Sequence, residues 1–209
     1  GYDVTDYYTV DPRFGSLGDF VDFTRSAREH GLRVVMDLVV NHTSDRHPWF
    51  ERARRAPKGS SERDWYVWSD RKPKDATKGM VFPGEQKSVW SYDRIARAWY
   101  LHRFYHHQPD LNVAHPAVRE EIRKIMGFWL ELGVSGFRID AAPFVVELKG
   151  IGRAHIRGYD HRDSPPDFFE RMREFLQWRK GDAIMLAEAN IAMDEVPAYV
   201  GEGDRLHLL

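Results

Sequence analysis

The chain contains no cysteine. That removes disulfides, thiolate metal sites and cysteine nucleophiles together. A reducing cytoplasm is the expected compartment, although a segment ahead of Gly1 could have carried an export signal. No apolar run approaches the roughly 20 residues of a membrane-spanning helix, so no membrane partner is expected. Charge of one sign is also missing: 31 Lys and Arg stand against 32 Asp and Glu, a net charge of −1. A nucleic-acid groove or an acidic-lipid surface would need a basic excess, and neither is expected. Gly-rich phosphate loops of the GxGxxG or Walker kind are absent as well, so no nucleotide or other organic cofactor is expected.

What is present is a soluble, aromatic-rich sequence of 209 residues, enough for one sizeable core. A β-branched run over 33–41, bounded by Gly31 and His42-Thr43-Ser44, predicts a buried strand. Short strands are predicted at 136–141 and 183–189. Helical patterns fall between them, at 19–30 with Gly31 as its stop, from His115-Pro116 to about Leu132, and from Ser164-Pro165-Pro166 to about Arg179. A further helix is predicted to start near Met193-Asp194. Alternation of strands and helices calls for parallel strands with helical crossovers. The pattern alone does not choose between a barrel and an open sheet. One connection, from His42 to about Ala114, is too long for a simple loop and predicts an inserted subdomain.

The polar residues of interest sit at the C-terminal ends of the predicted strands, where parallel α/β folds place ligands. Asn41-His42 follow the first, Asp140 ends the second and Glu188 ends the third. Arg138 and Asp140 are two apart on a strand and project from one face. The arginine is expected to keep the carboxylate ionised, as a glycosyl nucleophile requires. Glu188 follows the apolar stretch Ile184–Ala187, where desolvation should raise its pKa and make it a proton donor. Taken alone, an Arg-x-Asp pair is more often a buried structural ion pair.

Five stretches, in order, resemble motifs of glycoside hydrolase family 13, the α-amylase family. They are Gly1-Tyr2-Asp3-Val4 with Asp6-Tyr7, Asp37-Leu38-Val39-Val40-Asn41-His42, Gln108-Pro109-Asp110-Leu111-Asn112, Gly136-Phe137-Arg138-Ile139-Asp140-Ala141, and Ala187-Glu188-Ala189. The resemblance implies a partial (β/α)8 TIM barrel running from the end of strand 2 to the start of strand 6. Residues 1–41 and 115–209 would be barrel, and residues 42–114 the family's inserted domain B. It implies an enzyme with Asp140 as nucleophile, Glu188 as general acid/base and Arg138 holding Asp140. Tyr2 would stack on the sugar and His42 would bond its hydroxyls. The partner would be an α-glucoside oligosaccharide such as maltose.

Stretches such as His47-Pro48-Trp49-Phe50 and Leu186-Ala187-Glu188-Ala189-Asn190 are most similar to the family's trehalose synthase branch. In that branch a structural Ca²⁺ is implied at Asn41, Asp110, the carbonyls of Phe144 and Val145, and Glu147. Intramolecular glucosyl transfer and α-glucosidase-type hydrolysis both stay open, as does a non-catalytic accessory role on the same barrel. The family's third catalytic Asp would lie beyond Leu209, so the chain is expected to be part of a longer protein.

Overall fold

The computed structural model describes residues 1–145 and 165–208. The chain divides into two compact units. One holds residues 6–38, 120–143 and the described residues from 165 onward; the other holds residues 1–5 and 39–119 with Phe144 and Val145.

The first unit is built on a parallel sheet. Strands β1 (Val35–Leu38), β5 (Gly136–Ile139) and β6 (Ile184–Ala187) lie in the order β1-β5-β6. The register pairs Val35 with Gly136, Asp37 with Arg138, and Ile139 with Ala187. Leu208 adds a further parallel bridge to Leu186. Gly136 sets the entry to β5, because a Cβ there would clash with the Ile184 carbonyl oxygen and stand 2.9 Å from the Ile184 nitrogen. Phe137, Ile139 and Met185 are fully buried.

Helix α1 (Leu17–Glu29) begins with a capping box. The Asp19 amide donates to Ser16 Oγ, and the Ser16 amide donates to the Asp19 carboxylate at 2.7 Å. Helix α3 (Pro116–Glu131) sends Trp129 against Phe20 of α1, with ring centres 5.1 Å apart and edge to face. The Trp129 indole donates to the Tyr7 carbonyl at 2.8 Å. Gly133, at φ +100°, ends this helix in a conformation suited to glycine. Helix α5 (Pro165–Arg179) crosses over between β5 and β6, and α6 (Val196–Val200) follows.

The second unit contains the long connection. It is a folded body with its own antiparallel sheet, β2 (Trp68–Ser69), β4 (Ala98–Leu101) and β3 (Trp90–Asp93), in the order β2-β4-β3. Helix α2 (Pro48–Arg55) starts at the His47 cap, whose Nδ1 accepts from the Trp49 amide at 3.0 Å. Val67, Ala76, Val89, Trp90 and Leu101 form its core. Arg63 acts as an internal brace. Its guanidinium lies 3.9 Å from the Trp68 ring centre and donates to the carbonyls of Ala53, Arg54 and Ala96 at 3.0–3.2 Å. The short helix α4 (Ala142–Val145) leaves the end of β5. Among the described residues, no helix is long and apolar enough to cross a membrane.

Candidate active site

Strand β5 alternates, burying Phe137 and Ile139 and turning Arg138 and Asp140 to the other face. The ladder continues past the strand ends. The Asp140 amide donates to the Leu38 carbonyl at 3.3 Å, and the Glu188 amide donates to Ile139 at 3.0 Å. Backbone bonding therefore brings Asp140 and Glu188 side by side. Arg138 lies beside both, 2.8 Å from Glu188 and 3.6 Å from Asp140.

The electrostatics differ from the sequence expectation. Asp140 is buried, and its pKa is pushed up to about 6. Burial is the first cause; the hydrogen bond and charge of Glu188 come next, and Arg138 opposes them. Arg138 pulls Asp140 down but does not outweigh burial and Glu188; its guanidinium also serves Glu188 and Asp37. The Glu188 side chain is 57% exposed rather than desolvated, since the apolar stretch ahead of it ends with the strand.

Asp37 is the residue the sequence reasoning did not single out. It pairs in register with Arg138 from β1, and its carboxylate accepts from the Arg138 guanidinium. Its charge also adds to the upward push on Asp140. The signal was a lone carboxylate inside a β-branched run, but pairing between strands cannot be read along one strand.

In the other unit, His42 is buried and its pKa is pushed down to about 4 by desolvation. Its Nδ1 accepts from the Asn41 amide group and its Nε2 donates to the Tyr2 carbonyl, each at 3.1 Å. The Tyr2 ring is 44% exposed. Asn41 also meets the expected metal ligand Asp110, donating to its carboxylate at 3.4 Å; the Arg103 amide donates to the same oxygen at 2.9 Å. Asp110 is fully desolvated and pushed up to about 7, burial outweighing those donors and the Arg103 charge. Phe144 packs edge to face on Phe104, with ring centres 5.7 Å apart, and Val145 is buried. Glu147 lies outside the described residues. No group of three or more His, Cys, Asp or Glu able to hold a metal occurs among the described residues. The ligands expected here rely instead on an amide oxygen and carbonyls. A cleft of about 940 Å³ in this unit is lined in part by Lys58, Trp68, Asn112 and the aspartates Asp64, Asp70 and Asp75. Its Asp70 is paired with Lys58.

The arrangement of two adjacent carboxyls and a guanidinium suits proton transfer combined with nucleophilic attack at an acetal carbon. Comparison with known proteins gives the family. The family model for the alpha amylase catalytic domain matches residues 1–208. The trehalose synthase/amylase TreS of Mycobacterium tuberculosis is 39% identical over 212 residues, covering 100% of this chain and 34% of that protein. The trehalose synthase of Thermus thermophilus is 42% identical over 212 residues, covering 100% of this chain and 21% of that protein. The crystal structure of the trehalulose synthase MutB from Pseudomonas mesoacidophila MX-45 superposes with a TM-score of 0.84 at 29% identity, covering 100% of this chain and 39% of that one. The chain thus spans about a third or less of the two trehalose synthases.

Proposed function

Because the chain belongs to the alpha-amylase catalytic-domain family, we propose that it supplies the nucleophile and the acid/base of a retaining site for intramolecular glucosyl transfer between maltose and trehalose. The observation that carries this reading is the meeting of Asp140 and Glu188 at one guanidinium, that of Arg138, at 3.6 Å and 2.8 Å. In the first half-reaction an Asp140 oxygen bonds to the anomeric carbon as the bond to the leaving oxygen breaks, and the proton on Glu188 passes to that oxygen. In the second, a glucose hydroxyl attacks the same carbon, Glu188 takes the hydroxyl proton, and the bond to Asp140 breaks. Two inversions restore the α configuration.

The pair must therefore carry its proton on Glu188 at the moment of attack. Burial of Asp140 works against its ionisation and Arg138 works for it. Return of glucose through a different hydroxyl gives trehalose, whereas water as acceptor gives hydrolysis.

The three parallel strands with the Leu208 bridge fit a stretch of a (β/α)8 barrel, with the antiparallel unit as the inserted domain. A structural Ca²⁺ fits the oxygen donors Asn41, Asp110 and the carbonyls of Phe144 and Val145, with Glu147 as a further ligand. A hard dication would compensate the charge of the desolvated Asp110 carboxylate.

Product analysis of the full-length protein with maltose tests the function. Trehalose supports glucosyl transfer, and glucose alone replaces it with an α-glucosidase. The absence of any turnover of α-glucosides would point to an accessory protein.

A further inference from the structure

Immediately after Asp140 the backbone takes an unusual turn. Ala141 has φ +51°, a left-handed conformation rare for any residue with a side chain. The one other such non-glycine residue among those described is Arg97, in the exposed turn between β3 and β4. Ala141, by contrast, is buried at the end of a core strand. The turn has a visible result. It swings the next amide back, so that the Ala142 N–H donates to the Glu188 carbonyl at 3.1 Å. Together with the Glu188 amide bonded to Ile139, this gives the Glu188 backbone two bonds to the chain on either side of Asp140. In the regular parallel ladder the Glu188 carbonyl would be met by the Ala141 N–H; the left-handed residue moves the donor one position on, to Ala142, and so sets a different path for the chain leaving Asp140.

We infer that Ala141 is a positioning residue, whose left-handed turn locks the backbone after the nucleophile to the backbone of the acid/base residue and so fixes how the two carboxyls meet. The inference rests on the glucosyl-transfer reading only for its kinetic consequence; the geometry stands by itself. Strain of this kind persists only where the surroundings enforce it, and it clusters where function needs an exact arrangement. It also accounts for the absence of a branched residue at this place, since a branched side chain would resist the conformation.

The test uses the full-length protein and two side chains of nearly equal volume. Asparagine tolerates the left-handed region and threonine does not. With Ala141→Asn, kcat should exceed that of Ala141→Thr by at least about tenfold, with KM less affected. The acidic limb of the pH profile should stay in place for the asparagine variant and move for the threonine variant. Equal losses in the two would show that only packing matters and would overturn the inference. Ala141→Gly keeps the test sharp if the larger side chains prevent folding. Glycine takes the same turn freely, so its kcat and pH profile should stay within about threefold of wild type. A loss beyond about tenfold in a folded glycine variant would overturn the inference too. The Asp140 carboxyl is followed in parallel by ¹³C NMR titration, assigned with Asp140→Asn. If the wild-type protein turns over no α-glucoside, the functional reading falls. The titration still decides the geometric one: an unshifted Asp140 in Ala141→Asn or Ala141→Gly together with a shifted one in Ala141→Thr upholds it, and for a glycine variant alone an unshifted Asp140 upholds it and a shifted one overturns it.

Discussion

Asp140 and Glu188 stand side by side one residue beyond the last registered pair of β5 and β6, Ile139 with Ala187, and the Arg138 guanidinium reaches both carboxyls. A second carboxyl beside Asp140 disfavours its charged form and adds to the effect of burial. In the full-length protein, Glu188→Gln removes the neighbouring charge and should bring the Asp140 titration down from about 6. The acidic limb of the pH profile should follow it downward, while turnover falls by roughly three orders of magnitude. If Asp140 titrates where it did before, burial alone holds it up and the coupling is wrong.

Asp37 should matter without touching the sugar. Its carboxylate engages the Arg138 guanidinium that also serves Asp140 and Glu188. Asp37→Asn weakens that hold and removes one of the charges raising Asp140. The expected outcome is a kcat lower by about tenfold to a hundredfold, with the Asp140 titration moving down as well. A loss of activity with an unmoved titration would mean that Asp37 serves stability alone.

The Asp110 carboxyl gives a pH signature of the opposite kind from an ordinary salt-bridged aspartate. Its folded-state value, about 7, lies above its value of 3.8 in the unfolded chain. Its favourable contribution is therefore complete below pH 3.8 and is lost as pH rises through about 7. Without divalent ions, Asp110→Asn should flatten the decline in melting temperature over that window. Added Ca²⁺ should raise the melting temperature of the wild type above pH 7 and leave Asp110→Asn unchanged. Chelator and Ca²⁺ having no effect on the wild type would refute the proposed metal.

Arg63 should be a stability residue. Three carbonyls and the Trp68 face depend on its planar guanidinium. Arg63→Met leaves those acceptors buried without their donor and should cost about 2–4 kcal/mol, read by denaturant unfolding. Arg63→Lys should recover only part of this, since an ammonium offers neither the fork nor the flat face. A methionine variant as stable as wild type would show that water replaces the guanidinium at no cost.

Period and punctuation made the parallel unit legible. The runs at 33–41, 136–141 and 183–189 contain the observed strands Val35–Leu38, Gly136–Ile139 and Ile184–Ala187. Gly31 and Gly133 mark the helix ends, both with positive φ. The inner order of the long connection was not legible. Its strands have two or four residues, too few for a period to emerge, and β2 pairs with β4 across a long stretch of chain, Trp68 with Tyr100. Within the site, the placement of Arg138, Asp140 and Glu188 at strand ends could be read from spacing. The charge states could not, because they depend on Asp37 and on which carboxyl the fold buries, and both arise from neighbouring strands.

The pinch at Gly136 turns a catalytic requirement into a constraint on heredity. β5 presents Arg138 and Asp140, and it reaches its register with β6 only because its first residue brings no carbon toward Ile184. A saturation library of the full-length gene, selected for activity, should return position 136 as intolerant of change as position 140. Alanine would fail there although it makes no contact with any sugar. Sequence profiles that weigh intolerance as evidence of chemistry would then count Gly136 among the catalytic residues, when its whole contribution is the space it leaves empty.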